Sequence, residues 1–239
     1  MSPKGGLERT DSFPRGYSII EETQVYKNLR HKLFVNGKIP KSELPYGEKS
    51  SETLVIRGFE DVLDGNFLGV GRFHNTFGSS RQLISALAVS KNAEIEKIAS
   101  TGGLSGAKMV KRLREKQVLT GMRIADLGAG GSYFARTAKA LGATVVTVDV
   151  RSYAAYADLF TQIEIDLTNQ EAGKNILASA GEKFDFVTEN IVGRLPGQTE
   201  IQSPKKEHIL AIAKDILKRE GYLYSLIVNG SDNQILKRN

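Results

Sequence analysis

The chain contains no cysteine, which excludes disulfides, thiolate metal sites and thiol nucleophiles. Its three histidines, His31, His74 and His208, lie far apart in sequence, so we expect no histidine-rich metal site. No run approaches about 18 apolar residues, and Met1 to Arg15 lack the apolar core of a signal peptide. These absences predict a cytoplasmic protein without a bound metal. Secretion by a route that needs no signal peptide would leave the same pattern.

The composition is that of an ordinary globular protein. Apolar residues make up 40% of the 239 residues and charged residues make up 25%, which is enough to build a hydrophobic core without covalent cross-links. The formal net charge of +6 is a mild excess that is spread along the chain. This charge permits an anionic partner such as RNA, but it does not by itself argue for one.

The residues from Ile124 to Val150 predict a βαβ unit. A short apolar run is followed by a glycine-rich turn, a segment with apolar residues at helical spacing, and a β-branched run that ends at Asp149. Glycines let the backbone pass close to a ligand, and an acid after the second strand can accept hydrogen bonds from ribose hydroxyls. The unit therefore predicts a nucleoside-containing cofactor. A purely structural use of the glycines is the less favoured alternative.

Two features distinguish between the nucleoside cofactors. A dinucleotide fingerprint has a third glycine, and Tyr133 occupies that position here. Asp126, just before the turn, would repel a pyrophosphate but suits a cationic ligand, such as the amino group and sulfonium of S-adenosylmethionine. Both features favour S-adenosylmethionine over a nicotinamide dinucleotide.

At these residues the sequence resembles the class I S-adenosylmethionine-dependent methyltransferases. Their first motif, acid-x-G-x-G, corresponds to Asp126-Leu127-Gly128-Ala129-Gly130. The resemblance covers about residues 105–230 and implies a Rossmann-like α/β fold with a doubly wound, mostly parallel sheet and an N-terminal α+β extension. We accordingly expect a flexible arm at 1–16, an N-terminal region of unknown role at 17–103, and a cofactor-binding domain at 104–239.

The resemblance also implies roles for individual residues. Asp126, the turn, and Asp149 with Val150 would contact the cofactor, and the turn residues are Gly128, Ala129 and Gly130. Asp166 follows the third predicted strand, where an acid binds the adenine amino group and its neighbour, Leu167, packs on the ring. A helix N-cap is the alternative role for Asp166.

Glu189 and Asn190 follow the fourth predicted strand, Phe184 to Thr188, and are the predicted catalytic residues. Ligands in open α/β sheets bind beyond the carboxyl ends of the strands, so both residues are expected near the transferred methyl group. Glu189 would act as a general base or would orient the methionine amino group.

The C-terminal part departs from the family pattern. The family usually adds a helix and an antiparallel hairpin after the fifth strand, predicted here at Tyr222 to Val228, but only Ser231 to Asn239 are left. A minimal fold and a truncated chain are two explanations. The third is a sheet completed by N-terminal residues such as Thr53 to Ile56.

The predicted activity is methyl transfer to an oxygen or nitrogen of a small molecule, a protein or RNA. Methylation at carbon 5 of a pyrimidine is not expected, because that reaction normally uses a cysteine. Adenine and cytosine amino methylation are disfavoured, because the N-P-P-[YF] signature is missing after the fourth strand. A non-catalytic or toxin-like interaction domain on the same fold is the second hypothesis. An NAD(P)-binding oxidoreductase is the third.

Overall fold

The computed structural model describes residues 15–20, 23–35, 73–101, 106–130, 133–189, 204–229 and 235–239. In these ranges it contains the strands β1 (Tyr17–Ile20), β2 (Arg123–Leu127), β3 (Thr144–Asp149), β4 (Thr161–Glu164), β5 (Phe184–Glu189), β6 (Leu217–Ser225) and β7 (Ile235–Arg238). The helices are α1 (Gln24–Val35), α2 (Phe73–Val89), α3 (Ala93–Ser100), α4 (Gly106–Glu115), α5 (Tyr133–Ala140), α6 (Ala172–Ala180), α7 (Lys206–Ile216) and α8 (Leu226–Asn229). No helix in these ranges is long and apolar enough to cross a membrane.

The strands form one seven-stranded sheet in the order β1-β7-β6-β5-β2-β3-β4. The five strands from β2 to β6 run parallel to one another, and β7 runs antiparallel to both of its neighbours. The central strands are buried on both faces, which explains their nearly continuous apolar sequences. This sheet confirms the predicted α/β, Rossmann-like fold class.

Helices cover both faces of the sheet, and each face has its own apolar core. On one face, Leu29 of α1, Leu87 of α2 and Phe134 of α5 pack in a cluster with Phe186 of β5. On the other face, α6 and α7 pack against the sheet in a second cluster. The described part of the N-terminal region therefore packs on the same sheet as the βαβ unit. The predicted boundaries between the three parts of the chain stay predictions.

The sheet is completed by an N-terminal strand. Tyr17 of β1 pairs with Arg238 of β7, Ile20 pairs with Ile235, and the Asn239 amide donates to the Gly16 carbonyl oxygen over 2.9 Å. This strand extends the sheet beyond the fifth parallel strand, where the sequence departs from the family pattern. The segment Thr53 to Ile56, which was considered for that role, lies outside the described residues.

The fifth parallel strand differs from the prediction at its carboxyl end. Residues 226–228, predicted as strand, belong to the short helix α8. The reason is local, because the Ser225 hydroxyl accepts a hydrogen bond from the Val228 amide over 3.1 Å and so caps the new helix.

Candidate functional site

The glycine turn is tightly connected to the end of β3. Gly128 and Gly130 have φ angles of 69° and 50°, which lie in the left-handed region that favours glycine. The amides of Gly128 and Ala129 donate to the Val148 carbonyl oxygen over 2.7 and 3.3 Å. The Gly130 amide donates to Asp149 Oδ2 over 2.8 Å. All three amides of this turn therefore have acceptors inside the protein.

Asp149 has the geometry of a ribose-binding carboxylate. Two backbone amides fix its orientation, that of Gly130 at Oδ2 and that of Val150 at Oδ1, the latter over 2.8 Å. An ionised carboxylate has about four lone-pair positions, so two are left for ligand hydroxyls. The Val150 side chain is 59% exposed, which is unusual for a large apolar residue beside a strand end. Together they offer an acid for a sugar and an apolar contact for a base.

Asp126 lies beneath the turn and is nearly inaccessible, with 2% of its surface exposed. Burial raises the pKa of this carboxyl to about 8, because it disfavours the charged form. A hydrogen bond of 3.2 Å from Gln82 Nε2 acts in the opposite direction, while the negative charges of Asp149 and Glu189 raise the pKa further. Near neutral pH the Asp126 carboxyl is therefore largely protonated, and a nearby cation would favour its ionisation.

Glu189 is fully buried at the carboxyl end of β5 and contacts the start of α8. Its Oε2 accepts hydrogen bonds from the Ser225 hydroxyl over 2.7 Å and from the Ile227 amide over 3.0 Å. A carboxylate in this position satisfies a free amide of the first helical turn and interacts favourably with the helix dipole. The structure thus gives Glu189 a capping contact. Its catalytic role stays a prediction, and Asn190 lies outside the described residues.

Asp166 and Leu167 follow β4 and lie beside the end of β3, where the Ile165 amide donates to the Asp149 carbonyl oxygen over 2.8 Å. Asp166 is exposed, and its Oδ1 accepts hydrogen bonds from the Thr168 amide and hydroxyl, which lower its pKa. It caps this turn and no helix, since α6 begins only at Ala172. Leu167 is buried in the apolar cluster beneath α6 and α7. Their contacts with adenine stay predictions.

The predicted residues within the described ranges meet at one edge of the sheet. The neighbouring strands β2, β3 and β4 carry Asp126, the glycine turn, Asp149 and Asp166 at or just after their carboxyl ends. Glu189 ends β5, where it pairs in register with Leu127 of β2. These are carboxyl ends of parallel strands, where open α/β sheets bind their ligands. Among all the described residues, no group of three or more His, Asp or Glu side chains has the arrangement of a metal site.

Gln82 was missed by the sequence analysis. It lies on α2, 44 residues before Asp126, and it is 2% exposed. The available signal was a polar pair, Gln82 and Ser85, which lie three residues apart in the otherwise apolar run 82–89 and so occupy one face of a helix. The N-terminal region thereby contributes a side chain to the candidate site.

The raised pKa of Asp126 predicts an unusual dependence of stability on pH. The pKa of Asp126 in the folded protein, about 8, lies above its ordinary value of 3.8, so the folded state binds the proton more tightly than the unfolded state does. The stability that the protonated Asp126 carboxyl contributes is fully present below about pH 4 and is lost as the pH rises through about 8. Asp126→Asn removes this loss because its side chain stays neutral. We expect a melting temperature at least about 3 °C above that of the unmodified protein at pH 9, and little difference at pH 4.

The matched control is Asp158→Asn, which changes an exposed aspartate in the same way. Its melting temperature should follow that of the unmodified protein at every pH. Parallel curves for Asp126→Asn and the unmodified protein would show that Asp126 ionises normally.

Comparisons with known proteins found similarity among solved structures. No protein-family model matches the chain, and no curated protein matches it significantly. Among solved structures, the 16S rRNA N2 G1207 methyltransferase of T. thermophilus, in complex with AdoMet and guanosine, is 16% identical with a TM-score of 0.34. The match covers 59% of this chain and 44% of that one.

Two further solved structures are similar to this chain at comparable TM-scores. The MycE methyltransferase of the mycinamycin biosynthetic pathway is 15% identical with a TM-score of 0.34, and the match covers 83% of this chain and 54% of that one. An alcohol dehydrogenase superfamily protein from Novosphingobium aromaticivorans is 24% identical with a TM-score of 0.32, over 49% of this chain and 32% of that one. This chain thus spans between a third and just over half of the three neighbours. At these TM-scores the likenesses do not separate methyl transfer from hydride transfer.

Proposed function

We propose that the chain binds S-adenosylmethionine at the glycine turn and transfers its methyl group to an oxygen or nitrogen of an acceptor. The observation that carries this proposal is the Asp149 carboxylate, which two backbone amides hold beside the turn while leaving acceptor positions for ribose hydroxyls. The exposed Val150 next to it offers an apolar contact for the adenine ring.

The turn itself favours S-adenosylmethionine over a dinucleotide. Dinucleotide sites bind a pyrophosphate with backbone amides of the glycine-rich turn and the following helix. The amides of Gly128, Ala129 and Gly130 already donate to Val148 and Asp149. Asp126 below the turn adds a carboxyl group that a cation would ionise. A cationic ligand without phosphates suits this arrangement better than a pyrophosphate.

Methyl transfer from a sulfonium needs little more than accurate positioning. The leaving group is already activated, so the protein has to hold the acceptor in line with the methyl group. A base is required only if the acceptor loses a proton during transfer. We assign Glu189 and Asn190 to this part of the site, with Glu189 either accepting that proton or orienting the methionine amino group. The acceptor is a small molecule, a protein side chain or RNA.

A domain that binds the cofactor without catalysing transfer is the second candidate. The buried contacts of Glu189 favour it, because the hydrogen bonds from Ser225 and Ile227 give its Oε2 a structural role. An interaction domain of this kind, including a toxin-like one, would keep the cofactor as a structural or regulatory ligand.

Titration calorimetry with S-adenosylmethionine and S-adenosylhomocysteine tests the proposal. We expect both to bind with micromolar dissociation constants, while NADH fluorescence stays unchanged on mixing. Failure of both nucleosides to bind, or an enhancement of NADH fluorescence, would overturn it. Radiolabelled methyl transfer to protein, RNA and metabolite fractions of a lysate then separates an active enzyme from a binding domain. Cofactor binding without any labelled fraction would favour the second candidate.

A further inference from the structure

Cationic side chains line a cleft at the sheet edge opposite the candidate cofactor site. This cleft, which we call the β6 cleft, has a volume of about 450 Å³ and lies where β2, β5 and β6 begin. The loop between α2 and α3 and the residues just before β2 complete its walls. The charged residues in these walls are the cations Lys91, Lys218, Arg219 and Lys237 and the carboxylates Asp185 and Glu220.

A second cleft lies at the same edge, on the opposite face of the sheet. This α6–α7 cleft has a volume of about 480 Å³ and is lined by parts of α6, α7 and the end of β7. Its charged residues are the cations Lys174, Lys183, Lys214 and Arg238 and the carboxylate Asp215. Both clefts reach the end of β7, where Lys237 lines one cleft and Arg238 lines the other.

The charge of the molecule is concentrated in these clefts. Their walls hold eight cations and three carboxylates, an excess of five positive charges, whereas the whole chain carries +6. Three of the cations are paired: Lys218 with Asp185 at 2.7 Å, Lys237 with Glu220, and Lys174 with Glu171 at 2.8 Å.

Four of the remaining cations have no ion-pair partner within 4.0 Å among the residues whose structure is described. Two of them belong to each cleft: Lys91 and Arg219 to the β6 cleft, and Lys183 and Lys214 to the α6–α7 cleft. The net positive charge is therefore shared by both clefts, as expected for a surface that binds an extended anion and not a single small one.

The backbone is strained where the β6 cleft is built. Glu220 has a φ angle of 67°, in the left-handed region that a residue with a β-carbon rarely adopts. The strand pairing is irregular there, since Phe184 pairs with Leu217 but Phe186 pairs with Tyr222. Residues 218–221 thus bulge from the strand and carry Arg219 to the cleft wall. Such strain persists only where surrounding contacts enforce it, and it is found disproportionately at functional sites.

We propose that the two clefts bind the phosphate backbone of a single-stranded nucleic acid. The repeated negative charge of a phosphodiester chain matches cations that are spread over both clefts at one edge of the sheet. An anionic membrane fits less well, because exposed apolar side chains beside the cations would strengthen peripheral membrane binding. The large apolar side chains exposed in the described ranges are Ile19, Val150 and Leu159, and none of them lines either cleft.

This surface is separate from the proposed methyl-transfer site. The clefts lie at the amino ends of the parallel strands, and the glycine turn lies at their carboxyl ends. The five residues of β2 alone separate the two edges by roughly 16 Å at about 3.3 Å per residue. The inference does not depend on cofactor binding, and each can fail without the other.

Fluorescence anisotropy with a labelled oligouridine of about 20 nucleotides tests the inference in the full-length chain. We expect binding that weakens steeply between about 50 and 200 mM salt. The variants Lys91→Gln/Arg219→Gln and Lys183→Gln/Lys214→Gln should each weaken binding about tenfold. Each should also reduce the magnitude of the slope of log affinity against log salt by about 1.4, because each phosphate contact in a single strand contributes about 0.7 to that slope and two contacts are lost.

The matched control is Lys27→Gln/Lys139→Gln, which removes two exposed lysines that line neither cleft. It should bind the oligonucleotide like the unmodified protein. An equal loss in the control, or no binding at low salt, would overturn the inference. Binding to phosphatidylserine vesicles in place of the oligonucleotide would also overturn it and would indicate a membrane surface.

Two parallel measurements complete the experiment. A deoxyribose oligonucleotide of equivalent sequence should bind equally well if phosphates alone are recognised, whereas preference for the ribose form would add contacts to the 2′-hydroxyl. Circular dichroism and cofactor titration of each variant should be unchanged. Oligonucleotide binding without cofactor binding would refute the proposed methyltransferase and leave this inference intact.

Discussion

Replacing Asp149 with alanine should weaken binding of S-adenosylmethionine at least about 100-fold. The carboxylate is expected to accept hydrogen bonds from two ribose hydroxyls, and a hydrogen bond to a charged group contributes about 1.5–3 kcal/mol. Its loss also removes the acceptor of the Gly130 amide, which positions the turn. Titration calorimetry of the folded variant measures the effect directly.

Two further variants show whether this effect is specific. Asp149→Asn keeps the size of the side chain but loses its charge and one acceptor oxygen, so its affinity should lie between those of the unmodified protein and the alanine variant. Asp158→Ala removes an exposed acid elsewhere and should leave the affinity unchanged. If Asp149→Ala binds the cofactor as well as Asp158→Ala does, the nucleoside does not lie against β3.

The affinity for S-adenosylmethionine should rise with pH between about pH 6 and pH 8, by up to about tenfold per pH unit. Burial holds the pKa of Asp126 at about 8, so in the free protein the carboxyl is mostly protonated over this range. A cationic ligand binds better to the ionised form and must displace the proton. A dinucleotide should show the opposite trend, because its pyrophosphate is repelled once Asp126 ionises.

The ligand itself complicates this measurement, because its α-amino group also titrates near pH 8. The comparison with Asp126→Asn removes that contribution, since the variant keeps the ligand and loses the ionising side chain. The difference between the two profiles then reports Asp126 alone. Calorimetry in buffers of different ionisation enthalpy should also detect a proton released on binding by the unmodified protein and a smaller release by the variant. Identical profiles would place the cation away from Asp126.

The sequence was most informative where function and local chain geometry coincide. The glycine turn, with Asp126 before it and Asp149 after the next strand, could be recognised because the turn needs positive φ angles and the strands need β-branched residues. The parallel arrangement of the sheet follows from the alternation of strands and helices. The fold class was therefore predictable from periodicity and one motif.

Contacts between distant segments were not predictable in this way. Nothing near Asp126 in sequence indicates that Gln82 reaches it from α2, and Ser18 of β1 meets Asn239 after a separation of 221 residues. The capping contact of Glu189 depends on a helix that was predicted as strand, because the apolar residues 226–228 also fit a strand pattern. The cationic clefts had no sequence signature, since their residues come from five or more separate segments.

The pairing of β1 with β7 has a consequence for folding during synthesis. Strand β1 leaves the ribosome early, but its partner is made more than 200 residues later, as the separation of 221 residues between Ser18 and Asn239 shows. At about 5–20 residues per second, β1 waits roughly 10–45 s for that partner. During this interval the unpaired backbone of β1 is open to intermolecular pairing, and the edge of β6 is exposed from its own synthesis until β7 pairs with it. We therefore expect refolding yield and chaperone dependence to be governed by this last pairing and not by the parallel core.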